Sequence, residues 1–98
     1  MKRDIDFRGI AEQELDDAIA WYNNERAGLG AKFATEIRGL LARIAEFPDR
    51  YPRANAIARR AIAPRFPYSI FYRVRDTRII VLSVFHHSRD PADWQSRS

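Results

Sequence analysis

The chain has 98 residues, 46% of them apolar, and a formal net charge of +4. That length suits one domain spanning residues 1–98, and the apolar share supplies a modest core, which argues against a disordered chain. No cysteine is present, which excludes a disulfide scaffold, a thiolate metal site and a cysteine nucleophile and fits a cytoplasmic protein.

The charge is unevenly placed. Residues 1–49 carry seven Lys/Arg against ten Asp/Glu, whereas residues 50–98 carry ten Arg, no Lys and three Asp. Arginine suits bidentate binding of carboxylate or phosphate, so an acidic protein segment or a nucleic acid is the expected kind of partner. A solvated surface on which arginine merely stands in for lysine has the same composition. The stretch Met1 to Gly9 is charged and lacks the apolar run of a signal peptide, and the longest apolar run, Ile79 to Leu82, is too short to span a bilayer.

Asp4-Ile5-Asp6-Phe7 alternates polar and apolar residues and predicts a short strand. From Ile10 to Glu25 the residues Ala11, Leu15, Ala18, Ile19 and Tyr22 recur at helical spacing. Glu12, Glu14, Asp16 and Asp17 occupy the other positions, where they favour the helix dipole. Ala27-Gly28-Leu29-Gly30 reads as a turn. A second helix is predicted over Ala31 to Glu46, with Phe33, Ile37, Leu40, Leu41 and Ile44 as its apolar stripe and Phe47-Pro48 as its stop. The short link between the helices predicts an antiparallel hairpin, with Trp21, Tyr22 and Phe33 in its core.

The remainder predicts strands. Ile57 to Ala63 is a weak candidate bearing Arg59 and Arg60, and Pro64 and Pro67 punctuate a turn. Tyr68 to Val74 is rich in aromatic and branched residues, Arg75-Asp76-Thr77 makes a tight turn, and Arg78 to His86 is nearly continuously apolar, as a central strand covered on both faces would be. The tail from Ser88 is polar apart from Pro91, Ala92 and Trp94. The expected fold is α+β, in the order β-α-α-β-β-β. The helical hairpin packs on an antiparallel-rich sheet in which the first strand pairs beside the last.

Three stretches carry a family resemblance: Ala11 to Asn23 (AEQELDDAIAWYN), Ile44 to Pro52 (IAEFPDRYP) and Arg65 to Trp94 (RFPYSIFYRVRDTRIIVLSVFHHSRDPADW). The last is the most specific, with an IFYRV strand, a charged turn, an apolar strand and a closing H-x-R-D-P. On these residues the chain resembles the ParE/RelE toxin superfamily. The resemblance implies a type II toxin–antitoxin system, an addiction module of the plasmid-stabilisation kind, with a cognate acidic antitoxin wrapped around the toxin. It also implies one of two targets: DNA gyrase, as in ParE-like members, or messenger RNA on the ribosome, as in RelE-like members.

Metal-free RNA cleavage needs a base, an acid and cations at the phosphate. Arg65, Arg73, Arg89, His86, His87, Tyr68 and Tyr72 are the available candidates, with Arg73, His86, His87 and Arg89 the first choices if the chain is a nuclease. Adjacent strand residues point to opposite faces, so His86 and His87 cannot both serve one site while the strand persists. Relatives that cut RNA usually carry an arginine where this chain has Ser69, and an acid–base residue after the last strand where the only aromatic here is Trp94. The favoured reading is therefore a non-catalytic gyrase inhibitor neutralised by an antitoxin. Arg59, Arg60, Arg65, Arg73, His87, Arg89 and Trp94 are the candidates for antitoxin or target contact.

Three alternatives stand beside individual features. The whole chain could be a non-toxic orphan binding module. Arg89-Asp90-Pro91 reads equally as an internal ion pair that anchors the tail. Trp94 is either an exposed anchor or a side chain folded back onto the sheet. No metal-ligand spacing and no phosphate loop is present, so neither a metal nor a cofactor is expected.

Overall fold

The computed structural model describes residues 2–98. The helical periodicities form α1 (Gly9–Glu25) and α2 (Leu29–Glu46). The reversal between them takes only three residues, so α2 begins two residues before its expected start. Gly28 permits this with a left-handed φ of 86°, which a side chain would make strained. Gly30 lets the helices close up: a Cβ there would lie 2.5 Å from the Ile19 carbonyl oxygen. Its N–H donates instead to Asn23 Oδ1 at 2.8 Å. Phe47 ends α2, and Pro48–Arg50 makes a single 3-10 turn whose Pro48 carbonyl accepts the Tyr72 hydroxyl.

The strands are β1 (Asp4–Phe7), β2 (Arg59–Ile62), β3 (Tyr68–Arg75) and β4 (Arg78–His86). Their order across the sheet is β1-β4-β3-β2. The β2–β3 and β3–β4 pairs are antiparallel, while β1 runs parallel to β4, with Ile5 opposite Ile79 and Phe7 opposite Val81. Asp76 and Thr77 form the two-residue turn between β3 and β4, with Asp76 at a φ of 56°. Asp is among the few side chains that tolerate this conformation. The β3–β4 register slips between Phe71 and Tyr72.

The helices cover one face of the sheet. Phe33, Ile37, Leu40 and Ile44 of α2 pack with Tyr22 of α1 against Ile70, Tyr72, Ile79 and Val81, all buried. Phe66 and Tyr68 meet Tyr22 and Phe33 in edge and tilted ring contacts at 4.9–6.2 Å. The near-continuous apolar run of β4 is explained by a second cluster on the opposite face. There Phe71, Ile80, Leu82 and Phe85 are buried with Ala58 and Trp94. Trp94 belongs to α3 (Ala92–Gln95), a single turn in the tail that its polar composition concealed.

Trp21, expected inside the hairpin, is 56% exposed. It sits one position from Tyr22, so the helical period that buries Tyr22 turns Trp21 outward. It touches Tyr22 edge-on at 5.1 Å.

Candidate functional site

The outer face of the sheet, away from the helices, carries Arg60, Ser69, Phe71 and Arg73 on β2 and β3. Arg60 stands opposite Phe71 in the antiparallel register, and Arg73 stands opposite Ile80. His87 follows β4 on the same side. Strand register therefore gathers residues 9 positions (Arg60 and Ser69) and 18 positions (Ser69 and His87) apart in sequence.

Ser69 is fully buried and is the hub of this group. Its Oγ accepts from Arg60 Nε at 2.9 Å and lies 2.8 Å from His87 Nε2. A guanidinium can only donate, so Ser69 has a proton left for a neutral His87. Burial, then the positive charge of Arg60 and that of His86, hold the His87 pKa below the usual histidine value. The relay thus runs from Arg60 through Ser69 to an unprotonated imidazole.

His86 points the other way. Its ring meets Tyr68 edge-on at 4.9 Å, and its Nδ1 lies 2.8 Å from Ser88 Oγ. The two histidines belong to opposite sides of the sheet. The cavity around Ser69 is lined by Arg53, Arg60, His87 and Arg89 together with apolar walls, and no carboxylate or tyrosine lines it. An acid–base pair for strand cleavage is not assembled there.

The remaining candidates divide between anchoring and display. Arg59 faces the helical side, where Nη1 donates to the Tyr51 carbonyl at 2.6 Å and Nη2 lies 3.8 Å from Asp49. It pins the connector between α2 and β2. Arg65 is 80% exposed, yet its Nε is 3.0 Å from Oε1 of Glu36, whose side chain is only 3% exposed. That approach is out of line for a hydrogen bond, so Oε1 is held by charge alone, while Oε2 accepts the Arg65 backbone N–H at 3.0 Å. Arg73 has a buried Nε without a hydrogen-bond partner. Neither Arg60 nor Arg73 has an acidic partner within salt-bridge distance among the described residues.

Trp94 folds back onto the sheet. Its ring stacks on Phe71 at 3.7 Å with 14° between planes, leaving 3% of the residue exposed. Arg89 does not pair with Asp90. It reaches Glu14 of α1 at 2.5 Å and Asp93 at 3.4 Å.

Glu14 was missed as an organiser. Expected to favour the helix dipole, it instead accepts from Ser83 Oγ, the Val84 N–H, Arg89 and Arg97. Burial opposes its charge, but the hydrogen bonds from Arg97, Arg89 and Ser83 together outweigh that and lower its pKa. Only Glu12 of the four acids lies in the first turn. The only sequence hint of Glu14's role was a carboxylate beside Leu15 on the sheet-facing side. The charge pattern alone did not reveal its partners, which lie 69–83 residues away.

A family model described as "ParE toxin of type II toxin-antitoxin system, parDE" matches residues 5–91. The chain belongs to the ParE toxin family. A chain of the solved structure described as "Chromosomal ParDE TA system from P. aeruginosa" is similar to it, with a TM-score of 0.76 and 17% identity. The match covers 87% of this chain and 96% of that one, and at this identity the likeness is one of fold. Comparison with curated protein sequences gives no significant match. The ParE assignment covers the helical hairpin, nearly all of the sheet and the Ser69 cavity except Trp94 and Gln95, and ends at Pro91, before α3. Among the described residues no helix is long and apolar enough to cross a membrane.

Proposed function

We propose that this ParE-type toxin acts by binding rather than by catalysis, with DNA gyrase as its target, and that a cognate acidic antitoxin neutralises it in the cytoplasm. An antitoxin is the partner that membership of the family carries. The acidic character of the antitoxin and the identity of the target are inferences from charge and from family likeness.

The observation that supports binding over cleavage is the separation of the two histidines by the sheet, together with an outer cavity that holds arginines but no carboxylate or tyrosine. Such a surface offers cations to an acidic partner and offers a scissile phosphodiester no acid–base pair. Of the candidate arginines, Arg60 and Arg73 on the sheet remain for a partner after internal pairing is subtracted, and Arg65, though paired with Glu36, is exposed beside the hairpin groove. Arg59, Arg89 and Trp94 support that surface from within.

Expression from a tightly controlled promoter tests the reading. The expected outcome is growth arrest with DNA breaks and intact transcripts, relieved by the antitoxin encoded beside the toxin. Arrest with transcripts cut at codon-defined positions would overturn it in favour of a ribosome-dependent nuclease. Absence of arrest with folded protein present would mark an orphan binding module.

A further inference from the structure

The cavity on the outer face has a volume of about 360 Å³ and no assigned occupant. We propose that it is a receptor for one carboxylate side chain of an acidic peptide segment, with Arg60 as the cation that binds it. That the segment belongs to the antitoxin rests on the toxin–antitoxin reading; the chemistry of the receptor does not.

Charge matching selects the ligand. Three arginines line the cavity, but Arg89 is already matched by Glu14 and Asp93. Arg53 is exposed and without an acidic partner among the described residues, but its Nη1 is turned to the Ala56 carbonyl at 3.3 Å. Arg60 likewise has no acidic partner among the described residues. Its Nε is committed to Ser69, which leaves the two terminal amino groups as an end-on fork, the geometry that grips a single carboxylate.

The fork is also held in place. Ser69 is fully buried and tied to His87 as well as to Arg60, and the Arg60 guanidinium lies 6.0 Å from the Phe71 ring centroid. A cation oriented before binding loses less side-chain freedom on complex formation.

The walls argue against a nucleotide. Phe71 and Trp94 spend their ring faces on each other, and Trp94 is 3% exposed. No open aromatic platform remains on which a base could stack. Phe85, Pro91 and Pro52 instead provide apolar surface for the methylene stem and apolar neighbours of an acidic side chain.

The test uses the full chain, labelled with ¹⁵N, and two blocked peptides that differ only in a central glutamate or glutamine between leucines. The glutamate peptide is expected to shift the Arg60 Nε–H and Trp94 indole N–H resonances, binding at least about tenfold more tightly than its glutamine counterpart, as a charge-assisted contact should. Arg60→Gln should abolish that preference. Ser69→Ala keeps the guanidinium but frees it, and should weaken the glutamate peptide several-fold, which keeps the test available if Arg60→Gln folds poorly. Equal binding of the two peptides, or shifts confined to arginines outside the cavity, would overturn the proposal. So would a single-stranded oligonucleotide that moves the same resonances at lower concentration than the peptide, which would reassign the cavity to nucleic acid. Growth arrest and its relief by the antitoxin report separately on the toxin reading. A failed arrest with intact peptide selectivity would remove the partner's identity and leave the receptor standing.

Discussion

Glu14 shows how one carboxylate can hold distant parts of a small chain together. It binds α1 to β4 through Ser83 and Val84, and to the tail through Arg89 and Arg97. Removing it would leave Arg97, only 12% exposed, without a carboxylate and Arg89 with Asp93 alone. Glu14→Ala is therefore expected to cost about 3 kcal/mol, the low end for breaking a buried pair because Arg89 remains partly in water; denaturant unfolding measures it. Its lowered pKa gives the direction of the pH dependence. The stabilisation is present above the carboxylate's ordinary unfolded value and is lost as pH falls through the lower folded value, so acid should melt wild type toward the variant's stability. His87 contributes in the same direction. Its folded pKa is depressed, so protonation on acidification favours the unfolded chain. Arg60→Gln should move the His87 titration, followed by NMR, upward toward the ordinary value. Burial, the larger cause, would keep it from reaching that value. An unmoved titration would mean that Arg60 does not act on the imidazole.

At the scale of elements, the hairpin depends on a close helix–helix approach that a single methyl group would disturb. Gly30→Ala places a carbon 2.5 Å from backbone oxygen and from Asn23, and backbone cannot yield as a flexible side chain can. The expected cost is about 1–3 kcal/mol, typical of overpacking, and thermal melting would show it. Gly9→Ala, with nothing within 4 Å of the added carbon, is the matched control and should leave stability nearly unchanged. The tail turn α3 depends instead on side-chain contacts: Trp94 on the sheet, Asp93 with Arg89, and Arg97 just beyond it. Trp94→Ala removes the ring stacked on Phe71 and opens a void over Phe85, Leu82 and Ile80. A loss of about 3–5 kcal/mol is expected. If the melting temperature falls by less than a few degrees, the second cluster does not support the sheet in the way its burial implies.

For the molecule as a whole, the two faces of the sheet do different work. The helical face carries most of the large buried side chains and supplies the stability. The outer face is covered by α3 and by the segment around Ala58, and it presents Arg60 and Arg73 beside them. This division predicts a separation of effects. Phe33→Ala should cost about 3–5 kcal/mol and remove activity only through loss of folded toxin. Arg60→Gln should leave the melting temperature close to wild type while weakening partner binding. Melting curves and growth assays on the same two variants would distinguish fold from function. Loss of stability in both would mean that the arginine face is structural.

Sequence by itself determined the element order, the hairpin, the central position of β4 and the family. Each rests on information local to a segment or to the spacing within it: a 3.6-residue apolar period, a run of branched residues, a proline stop, a charged two-residue turn. Strand alternation, a local rule, also put His86 and His87 on opposite faces on condition that the strand persisted; β4 ends at His86, and the two rings still diverge. Tertiary structure decided which charges are available. Arg59, Arg65 and Arg89 looked like Arg60 in sequence, yet they pair inward with Asp49, Glu36 and Glu14. Those partners lie 10, 29 and 75 residues away in the chain, and no local pattern reports on them. Tertiary structure also brought Ser69 beneath Arg60 and His87 and laid Trp94 over Phe71. A strand pairing and a tail closure had to form before either contact could exist.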